Sequence, residues 1–272
     1  PGRAGPFQPH GVARTVTLEQ RQGRLDFAVE VAWRAGRAAL AHYQTGVAAE
    51  AKPDASPVTA ADRAAERTAR ELIADRFPDD AILGEEEGET GAGAELRWIL
   101  DPIDGTKTFV RGVPLFGVMV ALQHGERAVL GVLHFPALDE TVYAAQGLGC
   151  WWNGRRARVS DTAAIGEALV VTTDSTALER SARGDGWRRL AAAAALTRPW
   201  GDCYGYARVA TGRAEAMLDP VLSIWDAAAL GPIIEEAGGV FTDWHGTPDH
   251  LVDSAVATNA ALARTIRELL QG

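Results

Sequence analysis

Three groups of acidic residues lie beside short apolar runs: Gly84-Glu85-Glu86-Glu87-Gly88 after AIL, Asp101-Pro102-Ile103-Asp104-Gly105-Thr106 after WIL, and Asp226 after Trp225, ahead of a helix-compatible run. Carboxylates gathered at strand ends repel one another unless a cation joins them. Hard divalent ions such as magnesium take oxygen ligands from a few carboxylates, backbone carbonyls and water, and this supply suits them better than it suits zinc. Within WILDPIDGT, Pro102 and Gly105 favour a tight turn that aims Asp101 and Asp104 to one side with the Ile103 carbonyl between them. Gly105 and Thr106 then open a stretch whose free N–H groups can hold an anion. Each group also has a plainer reading, the glutamates as a solvated loop and the aspartates as turn formers.

Other chemistries lack their residues. An EF-hand loop starting at Asp101 requires Glu at its twelfth position, where Gly112 stands. A haloacid-dehalogenase-type phosphatase places its second acid two residues after the first, and here the spacing is three. GxSxG, GxxxxGK[ST] and HExxH are absent. His42, His124, His134, His245 and His250 show no mutual metal spacing and are expected to be surface or satisfied core residues. Cys150 and Cys203 lack CxxC spacing and are expected to be reduced and buried. The formal charge of -9 argues against a nucleic-acid binder, but not against phosphate substrates if metal ions reverse the local sign. Lys52 and Lys107 are the only lysines among 27 basic residues, which draws attention to both, because a compact ammonium is not replaced by a guanidinium.

The elements that must position these groups follow from periodicity. Leu25, Ala28, Val29, Ala32, Ala39, Leu40 and Tyr43 predict a long amphipathic helix from Leu18 to about Tyr43. A second helix starts after Thr59, with Ala65, Ala69, Leu72, Ile73 and Phe77 on one face, and stops at Pro78. Runs at 81–84, 98–100, 116–123, 128–135 and 140–146 read as strands of an antiparallel meander, with His124-Gly125-Glu126 as a hairpin loop. Beyond, a strand at 168–173, helices near 186–196, 206–211 and 233–237, two further strands and a helix at 260–270 alternate. Pro232 is expected to kink or delay the helix after Asp226. These patterns predict an α/β (α+β) fold in two sub-domains, residues 17–158 and 159–272. Residues 1–16, without methionine or an apolar core, are expected to be a flexible tail and not a signal peptide. No run approaches the roughly 18 apolar residues of a membrane span, and a cytoplasmic protein is expected.

GEEEG, WILDPIDGTKTF and a Trp-Asp pair ahead of EAGG resemble the inositol monophosphatase family of magnesium-dependent, lithium-sensitive phosphatases, from the first helix to the C-terminus. GTKTF and the stretch from PWGDCYGYARVATG to IIEEAGG are most similar to its histidinol-phosphate phosphatase branch. The resemblance implies a layered αβαβα sandwich of the sugar-phosphatase type, with an antiparallel N-terminal sheet and a mixed C-terminal one. It implies that Glu85, Asp101 and the Ile103 carbonyl bind one magnesium ion, and that Asp101, Asp104 and Asp226 bind a second, with Glu85 helping to hold a third through waters. Manganese is expected to substitute, and lithium and calcium to inhibit. Gly105 and Thr106 would offer N–H groups to phosphate, Lys107 would sit beside that cradle, and Thr106 with Asp62 would orient or deprotonate the attacking water. Glu86 and Lys52 would lie in support. Asp62 and Asp226 also suit helix capping, a role compatible with catalysis.

The implied activity is hydrolysis of L-histidinol phosphate, with inositol 1-phosphate or a bisphosphate nucleotide as alternative substrates and a non-catalytic metal- or phosphate-binding regulator as the different class. Asp202 and Asp219 would suit an ammonium and an imidazole on the leaving group, although both also sit in turn-like dipeptides. Tyr204 and Trp200 are candidate pocket walls. The expected partner is a small phosphate monoester, not nucleic acid or membrane, and the family implies a homodimer.

Overall fold

The structure, a computed structural model, describes residues 17–52 and 57–272. The expected tail at 1–16 lies outside the described residues. Helix α1 (Leu18–Leu40) starts at a capping box formed by Thr17 and Gln20 and buries Leu25, Ala28, Ala32 and Ala39. It ends three residues before the expected Tyr43. A two-strand ribbon, β1 (Glu50–Ala51) with β2 (Pro57–Val58), leads to α2 (Ala60–Arg76). Phe77 leaves the helical region, as a residue before proline must, so α2 stops at Pro78.

Eight strands form the first sheet: β3 (Ala81–Gly84), β4 (Gly88–Thr90), β5 (Leu96–Asp104), β6 (Gly117–His124), β7 (Arg127–Phe135), β8 (Glu140–Ala145), β9 (Gly149–Trp152) and β10 (Arg155–Arg156). Their order is β10-β9-β8-β7-β6-β5-β3-β4, and the short α3 (Thr106–Val110) follows β5. The meander from β5 to β8 is antiparallel as expected, and β9 and β10, which were not anticipated, extend it. One pair departs from that expectation: β3 runs parallel to β5, with Gly84 beside Leu100, and this brings the C-terminal parts of both strands to the same end of the sheet. Glu85 therefore follows its strand next to Asp101. The hairpin strand β4 on the outer edge was not anticipated.

The second sheet contains β11 (Leu169–Thr172), β12 (Leu196–Arg198), β13 (Ala216–Asp219), β14 (Val240–Thr242) and β15 (Ala255–Thr258), in the order β12-β11-β13-β15-β14. It is mixed, as expected, with β11 parallel to both neighbours and β15 antiparallel to both of its own. Helices α4 (Ser175–Arg180), α5 (Gly184–Ala193), α6 (Asp202–Ala210), α7 (Ile224–Ala227), α8 (Leu230–Glu236) and α9 (Ala263–Gln271) complete the chain. The helix after Asp226 does break, into α7 and α8. Pro232 falls in the first turn of α8, where no intrahelical N–H is required. Helix α6 begins four residues earlier than expected, and α4, β12 and β13 are additional elements too short to carry a period.

Three apolar clusters mark five layers. Trp98, Leu100, Val120, Leu122 and Val132 face α1 and α2, while Ile99, Met119, Ala121 and Leu133 on the alternate positions face α6, α8 and the second sheet. Burial of both faces explains why these strands read as unbroken apolar runs. On the far side Val170, Leu218 and Val256 pack against Trp187 and Leu190 of α5 and Ile266 and Leu270 of α9. The middle cluster draws residues from both sheets, so the two halves share a core. Cys150 and Cys203 are free and buried within it.

Candidate active site

Residues three apart in a regular strand point to opposite faces, so Asp101 and Asp104 need a local device to share a side. The sequence suggested a tight turn. The structure instead keeps β5 continuous and shifts its register: Asp101 opposes Met119 and Asp104 opposes Gly117, one extra residue on β5. This bulge re-aims the second carboxylate. Asp226 arrives from the first turn of α7, where its Oδ2 accepts the Ser223 N–H at 2.7 Å. Oxygens of Asp101, Asp104 and Asp226 lie within 4.8 Å of one another.

Burial, then the neighbouring acids, push Asp101 and Asp104 well above the usual carboxylate range. A divalent cation removes that cost, and this oxygen-only set fits magnesium or manganese. The Asp101 Oδ1 accepts the Ile103 N–H at 3.0 Å, fixing that carboxylate. The Asp104 Oδ2 accepts the N–H of Cys203 in the first turn of α6, which ties the second half of the chain to the site.

Glu85 adjoins the trio without joining its tightest grouping. Burial raises it to about 7, against the pull of Lys52 and with Glu86 and Asp226 adding to the rise. Lys52 Nζ lies 2.7 Å from one oxygen of Glu85 and 2.7 Å from one of Glu86. Burial opposes the Lys52 charge, yet the two carboxylates outweigh it and hold the ammonium above its ordinary range. The sequence singled out this lysine by rarity; the structure gives it a place.

Asp62 is fully buried at the start of α2 and divides its oxygens. Oδ2 accepts the Thr59 N–H and hydroxyl at 2.8 and 2.6 Å, completing the capping box, while Oδ1 is 3.3 Å from Thr106 Oγ1. Burial raises its pKa. Thr106 Oγ1 is also 3.0 Å from the Ile103 carbonyl oxygen, which keeps a second lone pair. Gly105 has φ 86°, and a Cβ there would lie 2.7 Å from Asp202 Oδ2, so both conformation and space demand glycine.

Asp202 thus faces the cradle from α6. Thr108 donates to it at 3.2 Å, and burial raises its pKa. A cleft of about 380 Å³ beside it is lined by Lys107, Arg111, Thr173, Asp174 and Pro199, among others. Asp219 lies deeper, its oxygens accepting from Tyr206 Oη at 2.9 Å and Thr173 N–H at 3.3 Å, and burial lifts it to about 6. Tyr204 turns inward, edge-on to Phe135, and neither it nor the partly exposed Trp200 is among the residues lining this cleft.

The sequence reading missed Thr108, Arg111 and Thr173. It also missed Glu66, a fully buried acid on the inner face of α2, whose signal was its four-residue spacing from both Asp62 and Arg70.

The model of the inositol monophosphatase family matches residues 20–271. The chain belongs to the inositol monophosphatase family. Within it, the histidinol-phosphatase of Chlorobaculum parvum is 42% identical over 245 residues, covering 89% of this chain and 94% of that protein. The histidinol-phosphatase of Streptomyces coelicolor is 36% identical, covering 78% and 83% respectively. Among solved structures, the extragenic suppressor protein suhB from Bartonella henselae superposes with a TM-score of 0.86 at 30% identity, covering 92% of this chain and 98% of that one. This inositol monophosphatase family member is a phosphatase with the layered fold of its relatives, in a family whose members depend on metal ions. Among the described residues no helix is long and apolar enough to cross a membrane.

Proposed function

We propose that the chain hydrolyses L-histidinol phosphate to L-histidinol and phosphate with magnesium. The observation that carries this reading is the convergence of the Asp101–Asp104–Asp226 trio with a glycine-led cradle and with Asp202 across from it. Magnesium ions, two or three per site with manganese as substitute, supply positive charge and Lewis acidity when bound. Asp101, Asp104, Asp226, Glu85 and the Ile103 carbonyl hold them, and lithium and calcium inhibit. Gly105 and Thr106 donate N–H groups to the phosphate, and Lys107 adds charge at its rim.

Asp62 acts with the Thr106 hydroxyl to orient the attacking water and take its proton. Its raised pKa brings it nearer the working range of a general base. Lys52 and Glu86 hold Glu85 in place. On the leaving group, Asp202 accepts from the ammonium at the cleft, whereas Asp219, buried behind it with its oxygens taken by Tyr206 and Thr173, supports the pocket floor and does not meet the substrate. Lys107 and Arg111 on the same cleft favour a second reading, a substrate with a further anionic or hydroxyl-rich group such as inositol phosphate or a bisphosphate. The family's dimer and a cytoplasmic location belong to the proposal.

The deciding experiment measures phosphate release with magnesium from histidinol phosphate, inositol 1-phosphate and phosphoadenosine phosphate side by side. Preference for histidinol phosphate is expected. Preference for either of the others removes the substrate assignment and leaves the phosphatase intact.

A further inference from the structure

Asp62, Glu66 and Arg70 recur every four residues along α2 and so share one face of it. The first reaches Thr106. The second is fully buried, and both its oxygens are taken: Oε2 accepts the Glu86 N–H at 2.8 Å, and Oε1 accepts the Glu87 N–H at 3.0 Å and Arg70 Nε at 2.8 Å. Arg70 also donates to the Gly88 carbonyl, at the far end of the same turn. Gly84, at the near end, leaves no room for more: a Cβ there would come within 2.2 Å of Glu66 Oε1. A buried ion pair on α2 therefore clasps the backbone of the 84–88 turn at Glu86, Glu87 and Gly88, with Gly84 packed against it.

That turn carries Glu85 and Glu86. A flexible turn would let Glu85 swing with its long side chain. A turn held by charge-assisted bonds fixes where its carboxylate starts from relative to Asp101, and the same helix fixes Asp62. We infer that Glu66 is a positioning residue of the cation site, setting metal affinity through the backbone of residues 85–87 and locking that turn in register with Asp62. This rests on the metal-binding reading proposed above.

Glu66→Gln tests it. The carboxylate meets three N–H donors with acceptor oxygens alone, whereas the amide must turn its NH₂ toward at least one of them. Outer-shell partners of this kind typically change metal affinity about 10- to 100-fold. Calorimetric titration with magnesium is expected to show at least about tenfold weaker binding in E66Q. The apparent magnesium constant for turnover should rise in step, while kcat at saturating magnesium falls by less than about threefold, a split that general loosening of the fold does not produce. Glu66→Asp, which keeps the charge but loses reach, should fall between. If E66Q does not fold, Arg70→Lys decides by the same titration, because it keeps the pair and loses the Gly88 bond. Wild-type binding with unchanged affinity in the folded variant overturns the inference. Failure of the wild type itself to bind magnesium overturns instead the site reading on which it rests.

Discussion

Asp62 shows how one carboxylate serves two purposes because its oxygens are separate. Oδ2 is occupied by the Thr59 cap and Oδ1 faces Thr106, so folding and chemistry make independent demands. Asp62→Asn should lower kcat by a factor on the order of 10²–10⁴ and stability by about 1 kcal/mol, read from phosphate release and thermal melting. Thr59→Ala loses the cap alone; about 1 kcal/mol of stability should go, with a smaller effect on turnover than D62N. At Asp104 the balance differs, since that carboxylate lies in the cation trio and, unlike Asp62, caps no helix through its own capping box; the Cys203 N–H donates to it. Asp104→Asn should reduce turnover by about 10³-fold or more with the circular dichroism spectrum retained. Retained turnover would remove Asp104 from the site.

Strand β7 carries an element-scale consequence far from the cations. His134 is buried against Gly36 of α1, with Nδ1 2.8 Å from Thr141 Oγ1 on β8, and burial pushes its pKa down to about 4. The folded ring is therefore neutral where the unfolded ring, near its ordinary 6.5, takes up a proton. Its contribution is fully present above about pH 6.5 and is lost as pH falls toward 4, by on the order of 3 kcal/mol over that window. His134→Gln should be less stable at neutral pH and yet show a flatter loss of stability between pH 6.5 and 4 in denaturant titrations. An equal slope in both proteins would show that the ring is not held neutral.

At the scale of the whole molecule, the site exists because two sheets and the helices between them share one core. Gly131 of β7 is a tight point of that packing: a Cβ there would lie 2.0 Å from the Ala229 carbonyl oxygen, at the α7–α8 junction. Gly131→Ala must push this junction, and Asp226 with it, away from β5. We expect about 1–3 kcal/mol of destabilisation together with weaker magnesium binding, measured on one preparation by melting and calorimetry. The sequence by itself determined the strand and helix periods, the capping of α2 and the acid-rich segments, because each depends on residue type and near neighbours. It could not show that β3 would lie parallel to β5, that a bulge and not a turn would align Asp101 with Asp104, or that Glu66 would grip the 84–88 turn. Those depend on which surfaces meet across tens to hundreds of residues. Local propensity says nothing about that; only burial of both faces of the first sheet between its helix layers decides it.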